Sequence, residues 1–330
     1  MCITITSTKH PNYPLMLLSN RDEFYKRPTE PAHFRPLSDS EKILSPLDLA
    51  RPEHGTWIGV TTSGKIALLV NYRDVDTEQS MKETSRGVLP LDYLCSTQTD
   101  EEWTSSHISD MAIGIGNGNG NGHIDFSKIG GFTLLYGNLK LNSSTGKIDN
   151  LNILSNRGHC GKVFSPASAG DTLSVADAIE CKETFGLSNS LYNEPWKKVF
   201  LGEELVSNLM NSADLNTLSE RQLVDKCFQI LSNNTYSEAI RKQHDFDKKL
   251  LELRNSIFIP PIARGGPKSN CASIGEYYGT RTQTVVLLDK QGNLNYYERN
   301  LHSSDTPQVD KPEIVSHYSF NITGESPVCV

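Results

Sequence analysis

The 330-residue sequence predicts an α+β protein, and three observations carry that expectation. Short alternating or apolar runs come in pairs around turn residues near both ends of the chain. A long stretch in the second half has helical periodicity. No regular alternation of strand and helix marks a parallel sheet, so layered antiparallel sheets with helices outside fit best. No break in composition separates two domains, and residues 1–330 read as one.

The elements follow in order. Residues 2–6 alternate apolar and polar, as a half-buried strand does, and Leu15-Met16-Leu17-Leu18 reads as a buried strand. His10-Pro11-Asn12-Tyr13-Pro14 supplies the turn between them. Pairing Thr6 with Met16 would set Cys2 opposite Asn20, beside Asn20-Arg21-Asp22-Glu23. Residues 25–52, rich in Pro, Ser and charge, read as a surface excursion. A second hairpin is expected from 55–61 and 65–71 around Thr62-Ser63-Gly64. Residues 86–95 read as a helix. The Gly/Asn alternation over 114–122 reads as a flexible loop, since no P-loop Lys follows it. Strands are expected at 131–139 and 151–155, helices at 196–210 and 215–231, and a polar helical insertion at 234–253. A third hairpin, 282–288 with 293–298, turns at Lys290-Gln291-Gly292, and 315–322 reads as a last strand.

Composition narrows the function. A formal net charge of −7 argues against a general affinity for nucleic acid or anionic lipid. No run reaches the roughly 18 apolar residues that a membrane span needs. The opening residues do not read as a secretory signal, so the cytoplasm is the expected compartment. Seven irregularly spaced cysteines without Cys-x-x-Cys argue against a disulfide framework or a structural zinc site.

Cys2 is the first candidate for chemistry. Removal of Met1 would leave a thiol and a free α-amine on one residue, and that amine, with a pKa of about 7.7–8.0, can serve as a base. In the expected register Asp22 could orient the amine. Asn71, ending a strand, and Asn189, in Gly186-Leu187-Ser188-Asn189, carry amide donors of the kind that hold a developing oxyanion.

These motifs resemble the NRDE family, also called the transport and Golgi organisation protein 2 family. The resemblance rests on Met1-Cys2 with Asn20-Arg21-Asp22-Glu23, then Gly55-Thr56-Trp57, Asn71-Tyr72-Arg73, Ser85-Arg86-Gly87, Gly186-Leu187-Ser188-Asn189 with Pro195-Trp196, and Thr280-Arg281-Thr282-Gln283-Thr284. It implies ties to Golgi organisation and secretion, to haem, and to acyl-coenzyme A or lipid, in the cytoplasm with Golgi or mitochondrial association.

More distantly, the chain is similar to the cholylglycine hydrolase and penicillin V acylase group. That similarity implies a four-layer αββα N-terminal-nucleophile (Ntn) hydrolase fold, two packed antiparallel sheets flanked by helices. It also implies Cys2 as nucleophile, Asp22 from an Arg-Asn-x-Asp motif, and Asn71 and Asn189 as oxyanion donors. The leading Arg of the motif aligns with Ser19. Arg21, expected on the other face of the strand, could replace it, and Arg264 or Arg281 could supply a later Arg.

Two readings follow. One is an amidohydrolase or thioesterase, with no required cofactor or metal. The other is a carrier that binds haem or a coenzyme A thioester, with Asn20, Arg21, Glu23, Arg73 and Arg281 meeting the ligand. For haem, His10, His54 and His159 are the candidate axial ligands. Small-molecule ligands are the expected partners in both readings.

Overall fold

A computed structural model describes residues 2–73, 82–113, 124–158, 160–164, 182–265, 275–310 and 315–323. The expected Gly/Asn loop and His159 lie outside these residues. The chain forms two compact units. The first holds Met1–Pro28, Glu183–Ser188 and Pro195–Phe320, and the second Thr29–Lys182, Asn189–Glu194 and Asn321–Val330.

The chain opens in the first unit with β1 (Ile3–Ser7) and β2 (Leu15–Phe24). The second unit contributes β3 (Thr29–Pro36), β4 (Lys42–Asp48), β5 (Ile58–Thr61) and β6 (Lys65–Asn71). Helices α1 (Val88–Cys95) and α2 (Asp100–Ile113) follow, then β7 (Phe132–Asn138), β8 (Asn152–Ser155) and β9 (Gly161–Lys162). The first unit resumes with β10 (Thr184–Ser188), α3 (Lys197–Met210) and α4 (Glu220–Leu231). It continues through α5 (Glu238–Arg241), α6 (Phe246–Glu252) and β11 (Ile262–Ala263). It ends with β12 (Tyr277–Leu288), β13 (Asn293–Asn300) and β14 (Ser316–Asn321). Two antiparallel sheets with helices bear out the α+β class.

In the first unit the strands lie in the order β10-β1-β2-β12-β13-β14, with β11 beside β12. The first hairpin forms, in a register one residue from the expected one: Thr6 pairs with Leu17 and Ile3 with Asn20. Continuing that register brings Cys2 level with Arg21, not Asn20. The reason is burial. This register puts Ile3, Ile5, Met16 and Leu18 on one face, where they share a core with Val285 and Leu287 of β12 and with Val206, Leu223 and Leu231 of α3 and α4. A one-residue slip would have split that apolar set between faces. Residues two apart on a strand share a face, so Arg21 stands on the face of Ser19, correcting the expectation that it points away.

Helix α3 lies close against the sheet. A Cβ on Gly202 would meet Ile5 Cδ1 at 2.5 Å and Ile3 Cδ1 at 3.7 Å, and one on Gly186 of β10 would meet Val199 Cγ1 at 2.8 Å. Helix α4 starts with a capping box between Ser219 and Gln222.

The second unit carries a meander in which β3 to β9 pair in sequence. Residues 29–48 therefore hold two strands where a surface excursion was expected. β3 is the edge strand, and Pro31 and Pro36 with mostly half-exposed neighbours disguise its period. Helix α2 was not expected either. Its buried side is Trp103 and His107, both bound to Asp92: Trp103 Nε1 donates at 2.8 Å, and His107 Nε2 lies 3.1 Å away. Trp103, Tyr93 and Tyr136 pack edge-on, with ring centres 4.8–5.3 Å apart. Gly55 and Gly87 bring two loops together. Thr56 N donates to Gly87 O at 3.0 Å, and a Cβ on Gly55 would meet Gly87 C at 2.5 Å. Two of the family motifs are thus one backbone contact.

Candidate functional site

The nine candidate residues fall into two groups, one in each unit. Cys2, Asn20, Arg21, Asp22, Glu23 and Arg281 belong to the first, and Asn71, Arg73 and Asn189 to the second.

In the first unit β1 is pinned on both sides. It pairs with β10 through Ile3↔Ser188 and with β2 through Ile3↔Asn20. Ser188 Oγ donates to Cys2 O at 3.2 Å, fixing the backbone of Cys2 where β1 begins. Cys2 is half-buried. Cys227, by contrast, lies within the core, and burial pushes its thiol up to about 12, which makes it inert.

Asp22 sits two residues beyond Asn20 on β2 and is buried. Its carboxylate Oδ1 accepts a 2.7 Å hydrogen bond from Thr280 Oγ1, its directly paired neighbour on β12. Tyr278 donates from its hydroxyl to Asp22 O at 3.0 Å. Oδ2 faces the ammonium of Lys198 at 3.7 Å, and both side chains are wholly buried. At that distance the contact is an ion pair without a hydrogen bond, and Lys198 Nζ has no hydrogen-bond partner among the described residues. Burial drives the Asp22 carboxyl above its ordinary range, opposed most by Lys198. Burial likewise lowers Lys198, opposed first by Asp22 and then by Cys2.

Lys198 was missed by the sequence reading. A signal existed: Lys198, Gly202, Val206 and Leu209 recur at helical spacing on the buried side of α3. A lysine at the head of an apolar stripe needs a partner inside.

The remaining residues of this group are already engaged. Asn20 Nδ2 donates to Leu231 O at 2.8 Å and Ile257 O at 3.0 Å, and its Oδ1 accepts from Gln283 Nε2 at 3.2 Å. Asn20 thus satisfies the end of α4, and its amide hydrogens are committed to main chain where ligand contact was expected. Arg21, 5% exposed, lies 3.7 Å from Glu23, which also lies 3.7 Å from Arg27. Arg281 is the extra residue of a β-bulge: Thr280 pairs with Asp22 and Thr282 with Arg21. Its guanidinium donates to Arg27 O. Arg264 N donates to Glu276 O at 2.9 Å, beside β11.

In the second unit the two asparagines meet. Asn71 ends β6, and Asn189 Nδ2 donates to Asn71 O. Arg73 N donates to Asn189 O at 3.1 Å, so all three candidates of this unit form one hydrogen-bonded set. Of the two described haem candidates, His10 is buried, and its Nδ1 accepts from Asn12 N at 3.0 Å.

The fold and this centre define an α+β protein with a buried acid–amine pair at the head of its first hairpin. The chain belongs to the Transport and Golgi organisation 2 family, whose model matches residues 1–303. It is 30% identical to an uncharacterised protein of Saccharomyces cerevisiae, over 98% of this chain and 100% of that one. It is 28% identical to the Transport and Golgi organization 2 homolog of Mus musculus, over 89% of each. Similar solved structures include the penicillin V acylase of Agrobacterium tumefaciens, with a TM-score of 0.35, 12% identity and cover of 98% and 87% of the two chains. A conjugated bile acid hydrolase of Clostridium perfringens has a TM-score of 0.37, 11% identity and 98% cover of each. Among the described residues no helix is long and apolar enough to cross a membrane.

Proposed function

We propose that this chain handles acyl groups at Cys2, as an Ntn-type thioesterase or amidohydrolase acting on coenzyme A thioesters or amides. The observation that supports the reading most is the buried Asp22 of β2, held by Thr280 and Lys198. A buried carboxylate with a displaced pKa is costly, and such groups gather where chemistry is done.

In this reading Met1 is removed. The Cys2 thiol passes its proton to its own α-amine, which Asp22 orients. The Cys2 sulfur bonds to the substrate carbonyl carbon, and the carbon–sulfur or carbon–nitrogen bond breaks as the amine returns the proton to the leaving group. Water then cleaves the Cys2 thioester and releases the acid. A link to Golgi organisation is proposed from the names of the relatives.

The carrier reading is less supported. A phosphate or propionate approaching Arg21 would meet the Glu23 carboxylate 3.7 Å from it. The two readings separate on one experiment. The purified chain is incubated with a series of acyl-coenzyme A thioesters, followed by intact-mass measurement and assay of free coenzyme A. A transient acyl adduct with release of coenzyme A, both lost in Cys2→Ala, is the expected result. Tight binding of the intact thioester without adduct or release in any chain length would replace the enzyme with a carrier.

A further inference from the structure

Lys198 stands one helical turn before Gly202, the residue of α3 that rests on Ile5 and Ile3. It therefore lies over the end of β1 at which Cys2 emerges, and its ammonium points at Asp22, the first acidic residue beyond the Ile3–Asn20 pair. Thr280 binds one carboxylate oxygen of Asp22 and Lys198 faces the other. Among the described residues the Lys198 ammonium has no hydrogen bond, only the Asp22 carboxylate and the Trp196 ring 5.9 Å away, and a buried ammonium so held is an expensive arrangement.

We propose that Lys198 is a positioning residue for the Cys2 site: its charge keeps Asp22 a carboxylate, the form that accepts the stronger, charge-assisted hydrogen bond from the Cys2 amine. The inference rests on the acyl-handling reading for its purpose and on the geometry of the pair for its mechanism. After Lys198, the amino-terminal charge is the next to favour the Asp22 carboxylate, and it is the group that Asp22 is proposed to hold. On β2, Arg21 is engaged by Glu23. Tyr25, after β2, feels the Asp22 charge but is itself held protonated by burial. On β12, Tyr278 binds the Asp22 backbone and Thr280 is neutral. Arg254 stacks over Trp196, with its carbonyl accepting from Lys198 N at 3.0 Å.

The full chain, labelled with carboxyl-13C aspartate and assigned with Asp22→Asn, reports the Asp22 carboxyl across pH. Lys198→Met is expected to raise its midpoint by about 1–3 pH units, the usual effect of losing an adjacent opposite charge, and Lys198→Arg to return it toward wild type. An unmoved midpoint in Lys198→Met overturns the proposal. Condensation of 2-cyanobenzothiazole with Cys2, which needs both the amine and the thiol, is expected to shift its pH dependence with that midpoint. A moved midpoint with an unmoved condensation profile also overturns it, because the pair would then be structural. If wild-type protein does not condense at all, the amino-terminal reading has failed, and the Asp22 midpoint alone decides the hold of Lys198 on Asp22. Should Lys198→Met not fold, the neutral pair Asp22→Asn/Lys198→Met is used. Folding of that pair shows that a stranded carboxylate was the fault; a condensation profile displaced from wild type then supports the proposal, and one identical to wild type overturns it. Failure of the pair to fold shows that the lysine stem is needed for packing and overturns it.

Discussion

The Lys198 ammonium and the Asp22 carboxylate stand 3.7 Å apart with neither side chain reaching solvent. Removing one partner of such a pair leaves the other charge uncompensated, which costs about 3–5 kcal/mol, whereas replacing both with neutral groups costs far less. Asp22→Asn and Lys198→Met should each lower the urea midpoint strongly, and the double variant should recover most of the loss. Additive losses in the cycle would mean that the two groups do not interact.

Asn20 holds three elements at once: the end of α4 through Leu231 O, the following segment through Ile257 O, and β12 through Gln283. Asn20→Leu keeps the volume and removes every bond. A loss of about 1–3 kcal/mol is expected for each carbonyl left unsatisfied inside the fold, read by chemical unfolding. A variant as stable as wild type would return Asn20 to the list of ligand contacts.

The contact between Gly55 and Gly87 is backbone on backbone, with no flexible side chain to give way. Gly55→Ala should destabilise by about 1–3 kcal/mol through forced displacement of the facing loop. Gly87→Ala meets Gly55 Cα and Thr56 at 3.0 Å and should do the same. Their combined effect should be less than additive, because the first substitution already opens the gap. Thermal unfolding of the three variants measures this.

Burial holds His10 below its ordinary 6.5, and protonation at Nδ1 would also forfeit the bond from Asn12 N. The folded pKa is therefore the lower one, and the unfolded chain binds the proton more readily. Stability from this group is present above 6.5 and is lost as pH falls through the folded value. A His10→Asn variant should unfold in urea with a flatter dependence over pH 5 to 7, a window of about two units. Identical slopes for both proteins would remove His10 from the account.

Strand pairs with strong apolar runs were legible, and the hairpins at both ends form where the turn residues point. The register of the first was one residue off because alternation alone does not say which face is buried. That depends on α3 and α4, nearly two hundred residues away. β3 was hidden because an edge strand tolerates proline and charge, which read locally as loop. In the site, Cys2 and Asp22 stood out by position and motif, and Asn71 and Asn189 proved to be hydrogen-bonded neighbours. Lys198 did not stand out, since lysines near the start of a helix are usually solvated. Only its place on the buried stripe, confirmed by packing, separates it from Lys197 beside it.

The bulge at Arg281 has an arithmetic of its own. Asp22 answers Thr280 and Arg21 answers Thr282, so the ladder on either side is complete without the residue between. An insertion elsewhere in a strand turns every later side chain to the wrong side, whereas here the additional position is absorbed in place. Excising Arg281 would leave each β2 residue its present partner and remove mainly the guanidinium against Arg27 and the bond from Leu301 N. The arginine is therefore surplus to the pairing of β12 with β2, and what it adds lies on its other sides, in the bonds to Leu301 N and Arg27 O.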